Sequence, residues 1–117
     1  MPGIIAVLKI IAGVLTIATG LLSLIKPTAV YGFTGLRAEG GRGITEIRSI
    51  LGALFIALGA AVLFYGLPET YSMLGIMYLG IAVVRLVSMF IDHSIERSNI
   101  ISLVTEVVLG VILVLPG

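Results

Sequence analysis

The chain has 117 residues, 59% hydrophobic and 11% charged, with seven Lys/Arg against six Asp/Glu and a formal net charge of +1. Soluble proteins carry about 25% charged residues, and a chain of single-domain length buries too small a fraction of its area to hide this much apolar surface from water, so lipid is the solvent it calls for. The absence of a basic stripe argues against a nucleic-acid partner; a cysteine count of zero removes disulfides and thiolate chemistry, and a single histidine removes a multi-histidine metal site.

The first apolar run, Ile4–Ile25, is interrupted only by Lys9. It is longer than the roughly 7–15 residues of a signal-peptide core, lacks a basic n-region and has no small-x-small cleavage site, so it reads as an uncleaved helix. A long connection, Lys26–Gly43, opens with Lys26-Pro27 and closes with Gly40-Gly41-Arg42-Gly43. That glycine-rich stretch lacks the Gly-Lys-Ser/Thr ending of a P-loop and follows no strand, so it reads as a flexible hinge into the second helix. Tyr31 and Phe33 belong at the headgroup level, where aromatic rings prefer to sit.

The second run, Ile44–Tyr65, carries Glu46 and Arg48 in its first turns. The stretch Gly66–Thr70, with Pro68, reads as a tight turn that makes the second and third runs an antiparallel hairpin. The third run, Tyr71–Ile91, contains Arg85, and the fourth, Ile100–Leu115, contains Glu106. About 20 residues span a hydrocarbon core roughly 30 Å thick. The first three runs suffice; the fourth falls short unless its helix begins near Glu96 or Ser98. The prediction is an all-α fold, a polytopic transmembrane four-helix bundle forming one domain over 1–117, with helices at about 4–25, 44–65, 71–91 and 98–115.

Between the last two runs, Asp92-His93-x-x-Glu96 places three metal-ligand types near one turn. Adjacent residues on a helix diverge by about 100°, and a solvated loop explains them as well, so neither metal nor cofactor is expected. Lys26, Arg37, Arg42 and Arg97 lie in or beside the first and third connections, against only Lys9 and the terminal amine on the opposite side. Lys/Arg excess marks the cytoplasmic face, which puts both termini outside. Ala6, Gly13 and Gly20 recur at heptad spacing, as do Gly52, Gly59 and Gly66, and small-residue stripes let helices approach closely in lipid. Gly13–Gly20 and Gly52–Gly59 share the pattern G-x-L-x-I-A-x-G.

The in-membrane charges define the candidate site: Glu46, Arg48, Arg85 and Glu106, with Asp92 at the edge. An Arg or Asp at the bilayer centre costs roughly 2.5–3.5 kcal/mol, so such residues pair or face an aqueous cavity. Arg85 and Glu106 each fall about 9 Å from the same surface, counted from opposite ends of antiparallel helices, and are expected to form a direct ion pair. Arg85, Ser88, Met89 and Asp92 share one face of the third helix; Asn99, Ser102 and Glu106 share a face of the fourth. Glu46 and Arg48 diverge by about 200°, so they do not both face one point.

The sparse polar pattern Glu46-x-Arg48-x-x-x-Gly52, then Arg85 with Asp92 seven residues on, then Glu106 in the last helix, resembles a family of small bacterial four-helix integral membrane proteins known only as a domain of unknown function. The resemblance implies the four-helix fold and a prokaryotic inner membrane, and brings no activity. The function expected from the residues is non-enzymatic: a polar intramembrane site that binds or conducts a small solute, ion or lipid headgroup. The alternative is an accessory or assembly subunit of a larger membrane complex. Expected partners are the lipid bilayer and either further copies of the chain or that complex. Intramembrane catalysis with Glu106 or Asp92 as acid or base finds no supporting nucleophile motif or metal cluster.

Overall fold

The computed structural model describes residues 3–117, which are helical with no strand among them. Helix α1, Gly3–Ile25, ends where Pro27 forbids continuation, and Lys26 N–H closes its last turn on Leu22 O at 2.8 Å. A 3₁₀ turn, Pro27–Ala29, leads into the short helix α2, Val30–Thr34, within the connection expected to be irregular. Gly35, at φ 77°, stops α2 in the left-handed conformation that glycine adopts without strain.

Helices α3 (Gly40–Glu46) and α4 (Leu54–Tyr65) flank a π-helical stretch, Ile47–Ala53, and the three form one continuous 26-residue span, Gly40–Tyr65. The glycine-rich stretch read as a hinge is therefore the first turn of this span. Gly43 has Ala38 so close that an added Cβ would lie 3.2 Å from its Cα, a tight packing position rather than a pivot. In the π stretch the ladder widens, and Leu54 N–H reaches back five residues to Ser49 O.

The turn to helix α5, Pro68–Ile91, is only Gly66 and Leu67. Gly66 sits at φ 60° and Pro68 occupies the first helical turn, where its missing N–H costs nothing. Leu67 N–H donates to Thr70 Oγ1 at 3.2 Å, and that hydroxyl donates to Leu67 O at 2.8 Å. Helix α6, Arg97–Val114, begins earlier than the apolar run at Ile100. Its 18 residues measure about 27 Å, so the added polar turn makes it long enough to cross.

By length and apolarity, α1, Gly40–Tyr65, α5 and α6 can each cross a membrane. Between 17% and 28% of each span's apolar window is buried inside the protein, and large apolar side chains such as Phe64 (84% exposed) point outward. That surface is what lipid solvates; the chain is a small membrane protein.

Two compact units divide the chain: Ile11–Tyr65, and the residues up to 10 together with Gly66–Gly117. In the first, α1 and Gly40–Tyr65 are antiparallel and meet through glycine. A Cβ on Gly20 would lie 2.6 Å from Gly52 O and 2.8 Å from Ile56 Cγ1; one on Gly59 would lie 2.9 Å from Gly13 O and 2.6 Å from Ile17 Cγ1. The two copies of G-x-L-x-I-A-x-G thus pack on each other in mirrored pairs. In the second unit α5 and α6 do the same: a Cβ on Gly75 would lie 2.9 Å from Gly110 O, and one on Gly110 would lie 3.1 Å from Gly75 O. Several hydroxyls in the spans return to their own helices, as Thr16 Oγ1 to Ala12 O (2.8 Å) and Ser23 Oγ to Thr19 O (3.1 Å), which satisfies those donors without water.

Candidate intramembrane polar site

The site belongs to the α5–α6 hairpin. Arg85 stands about 9 Å from the end of α5 at Ile91, and Glu106 about 14 Å from the start of α6 at Arg97. Side chains lean toward the N-terminus of their own helix. In an antiparallel pair this carries Arg85 away from the connecting loop and Glu106 toward it, which closes the difference of about one turn. The two groups meet side-on: Arg85 Nε donates to Glu106 Oε1 at 2.8 Å and Nη2 donates to Oε2 at 2.7 Å. A bidentate, charge-assisted pair of this kind is the strong form of the interaction.

A third side chain completes the cluster. Arg85 Nη1 donates to Asn99 Oδ1 at 2.9 Å, and Asn99 Nδ2 donates to the carbonyl of Ser94 at 2.9 Å. Ser94 lies in the α5–α6 loop, whose path is set by His93 at φ 51° and by Ser94 N–H bonding back to Met89 O at 3.0 Å. The loop, the arginine and the carboxylate are therefore linked in series through Asn99.

A cleft of about 520 Å³ opens beside the guanidinium, lined by Gly80, Ile81, Val84, Arg85, Ser88, Ser94 and Asn99. Its volume falls in the range of small-molecule sites. Glu106 does not line it: the Arg85 side chain is 28% exposed, the Glu106 side chain 11%.

The other candidates from the sequence have separate partners. Glu46 forms an i,i+4 ion pair with Arg42 on the exposed side of the helix. Arg48 Nε donates to Leu24 O at 3.2 Å. Leu24 O is one of the last carbonyls of α1, which have no acceptor role inside the helix, so Arg48 caps α1 from the neighbouring span with a cation at the negative end of the helix dipole. Asp92 is exposed at the end of α5, where its backbone N–H closes the last turn on Ser88 O at 2.8 Å. Lys9 is nearly enclosed, at 3% exposure, with its ammonium 5.8 Å from the centroid of the Tyr71 ring.

A family model described as Domain of unknown function (DUF4345) matches residues 4–116, almost the whole chain. The chain belongs to the DUF4345 family. No curated protein and no solved structure matches it. Asn99 lies seven residues before Glu106 on one face of α6, a spacing legible in the sequence, and it joins the site through its bond to Arg85. Gly80, Ile81, Ser88 and Ser94 became site residues only once a cleft existed for them to line.

Proposed function

We propose that this membrane protein binds a small amphiphilic molecule in the cleft beside Arg85. The observation that supports this reading is the cleft's polarity gradient: Gly80, Ile81 and Val84 at one end, Arg85, Ser88, Ser94 and Asn99 at the other. An apolar wall with a few convergent polar groups is the usual make-up of a ligand site, and a gradient along the helix suits a molecule with a tail and a head. Gly80 adds to the case. It lies inside α5, where glycine is about 1 kcal/mol less favourable than alanine, yet a Cβ there would meet nothing within 4 Å. Helix packing does not require this glycine, and a large side chain in its place would stand at the cleft it lines.

The test is extraction of the protein purified in detergent, followed by mass spectrometry of the organic phase. Wild type is expected to retain a species that Gly80→Leu, which fills the cleft, loses. Identical extracts from the two would overturn the proposal. The orientation proposed with it puts Lys26, Arg37, Arg42 and Arg97 on the cytoplasmic side of an inner membrane and both termini outside, on the strength of the Lys/Arg imbalance.

A further inference from the structure

We infer that the head of this ligand is an oxyanion, a phosphate or carboxylate joined to an apolar tail; the inference rests on the amphiphile reading above and narrows it. The argument is a count of donors and acceptors at the polar end. A guanidinium has five N–H donors, of which three go to Glu106 and Asn99. An amide NH₂ has two, of which one goes to Ser94 O. Ser88 and Ser94 add their hydroxyls to the lining.

The carboxylate, amide and carbonyl acceptors at the same place each already receive a bond. Both Glu106 oxygens and Asn99 Oδ1 receive from Arg85, and Ser94 O receives from Asn99. What remains to meet a ligand is three N–H that can only donate, two on Arg85 and one on Asn99, beside two hydroxyls that donate or accept, and this balance calls for a head rich in acceptors.

Charge points the same way. Arg85 and Glu106 sum to zero, but Arg85 lines the cleft and is the more exposed of the two side chains, whereas Glu106 does not line it. In a medium of low dielectric the nearer charge dominates, so the cleft presents a positive end to its occupant. A cationic or purely donating head would face repulsion and unmatched N–H groups. Arginine's remaining N–H groups suit phosphate or carboxylate oxygens. At the other end, Ile81, Val84 and the space over Gly80 offer a tail only apolar contact.

The test uses the full chain in a neutral detergent, with binding read by native mass spectrometry. Four probes separate head from tail: oleoyl lysophosphatidate, oleate, monoolein, which carries the same acyl chain on an uncharged head, and inorganic phosphate. Oleoyl lysophosphatidate and oleate are expected to bind roughly tenfold more tightly than monoolein, the difference one charge-assisted contact makes. Inorganic phosphate should not displace them. Ser88→Ala should weaken both anionic probes several-fold and leave monoolein unchanged. Gly80→Leu should lose every oleoyl probe without lowering the melting temperature.

Equal binding of monoolein and the anionic probes would overturn the oxyanion head and leave the amphiphile reading standing. Displacement by inorganic phosphate at comparable concentration would overturn the tail. Failure of every oleoyl probe, or retention of lysophosphatidate by Gly80→Leu, would remove the site itself and with it the reading in the preceding subsection.

Discussion

At the scale of single residues, the Arg85–Glu106 pair is the feature whose removal should matter most. Each partner satisfies a charge that would otherwise stand bare inside an apolar hairpin, so deleting one leaves the other uncompensated. Arg85→Ala and Glu106→Ala should each destabilise the protein by about 3–5 kcal/mol, toward the lower figure because Arg85 keeps some exposure to the cleft. The double variant should recover part of that loss, and a thermal-unfolding double-mutant cycle in detergent checks it. Strictly additive losses would show that the pair contributes no coupling. Arg85→Lys should behave more like the alanine variant than like wild type, because an ammonium cannot make the side-on fork.

Asn99 tests the serial link between loop and pair. Asn99→Ala removes one bond to a charged donor, worth about 1.5–3 kcal/mol, and one to a loop carbonyl, worth about 1 kcal/mol. Its distinctive effect should be local: hydrogen exchange in the segment around Ser94 should speed up more than exchange in the middle of α5. Uniform acceleration along the hairpin would mean that Asn99 supports global stability and does not hold the loop.

At the scale of elements, the two helical hairpins are held by the same device, glycine facing glycine across antiparallel helices. Lipid supplies no hydrophobic drive between helices, so contact must come from close van der Waals approach, which only small residues allow. Gly20→Val and Gly59→Val would force atoms against opposing backbone at 2.6–2.9 Å and should each cost about 1–3 kcal/mol by overpacking. Gly80→Ala is the matched control within a span, because its added methyl meets no neighbour. It should raise stability by up to about 1 kcal/mol through helix propensity alone. Melting temperatures of the three variants decide the matter. A loss at Gly80 comparable to that at Gly20 would show that propensity and crowding had been misassigned.

At the scale of the whole molecule, four apolar spans with their large side chains outward imply solvation by lipid. The proposed orientation is tested by labelling, and the absence of cysteine makes single-cysteine variants free of background. In intact cells Pro116→Cys should react with a membrane-impermeant maleimide while Leu36→Cys resists it until the cells are opened. The opposite pattern would reverse the orientation. Native electrophoresis of solubilised membranes separates the remaining assemblies: a band of a few copies fits a self-contained binding protein, whereas comigration with a large complex fits the accessory-subunit alternative.

The sequence by itself determined the number and approximate bounds of the spans. Crossing a bilayer depends on local apolarity and on backbone hydrogen bonds made within each helix, neither of which needs a tertiary partner. It also gives the depth of Arg85, because depth along a helix is a matter of counting, but it sets Glu106 about one turn too shallow, because α6 begins at Arg97 and not at Ile100. The Arg42–Glu46 pair has an i,i+4 spacing, but it becomes a pair only because Gly40–Gly43 is a helical turn and not a hinge. Three things were decided by tertiary structure alone. Arg48 caps α1 because an antiparallel register brings it to Leu24 O. The repeated octapeptide is a packing surface because its two copies fall opposite each other. The cleft is a tertiary feature because its lining comes from α5, from Ser94 of the connecting loop and from Asn99 of α6. Each depends on which faces of two helices meet, and hydropathy cannot report that in a chain where lipid-facing and protein-facing residues are equally apolar.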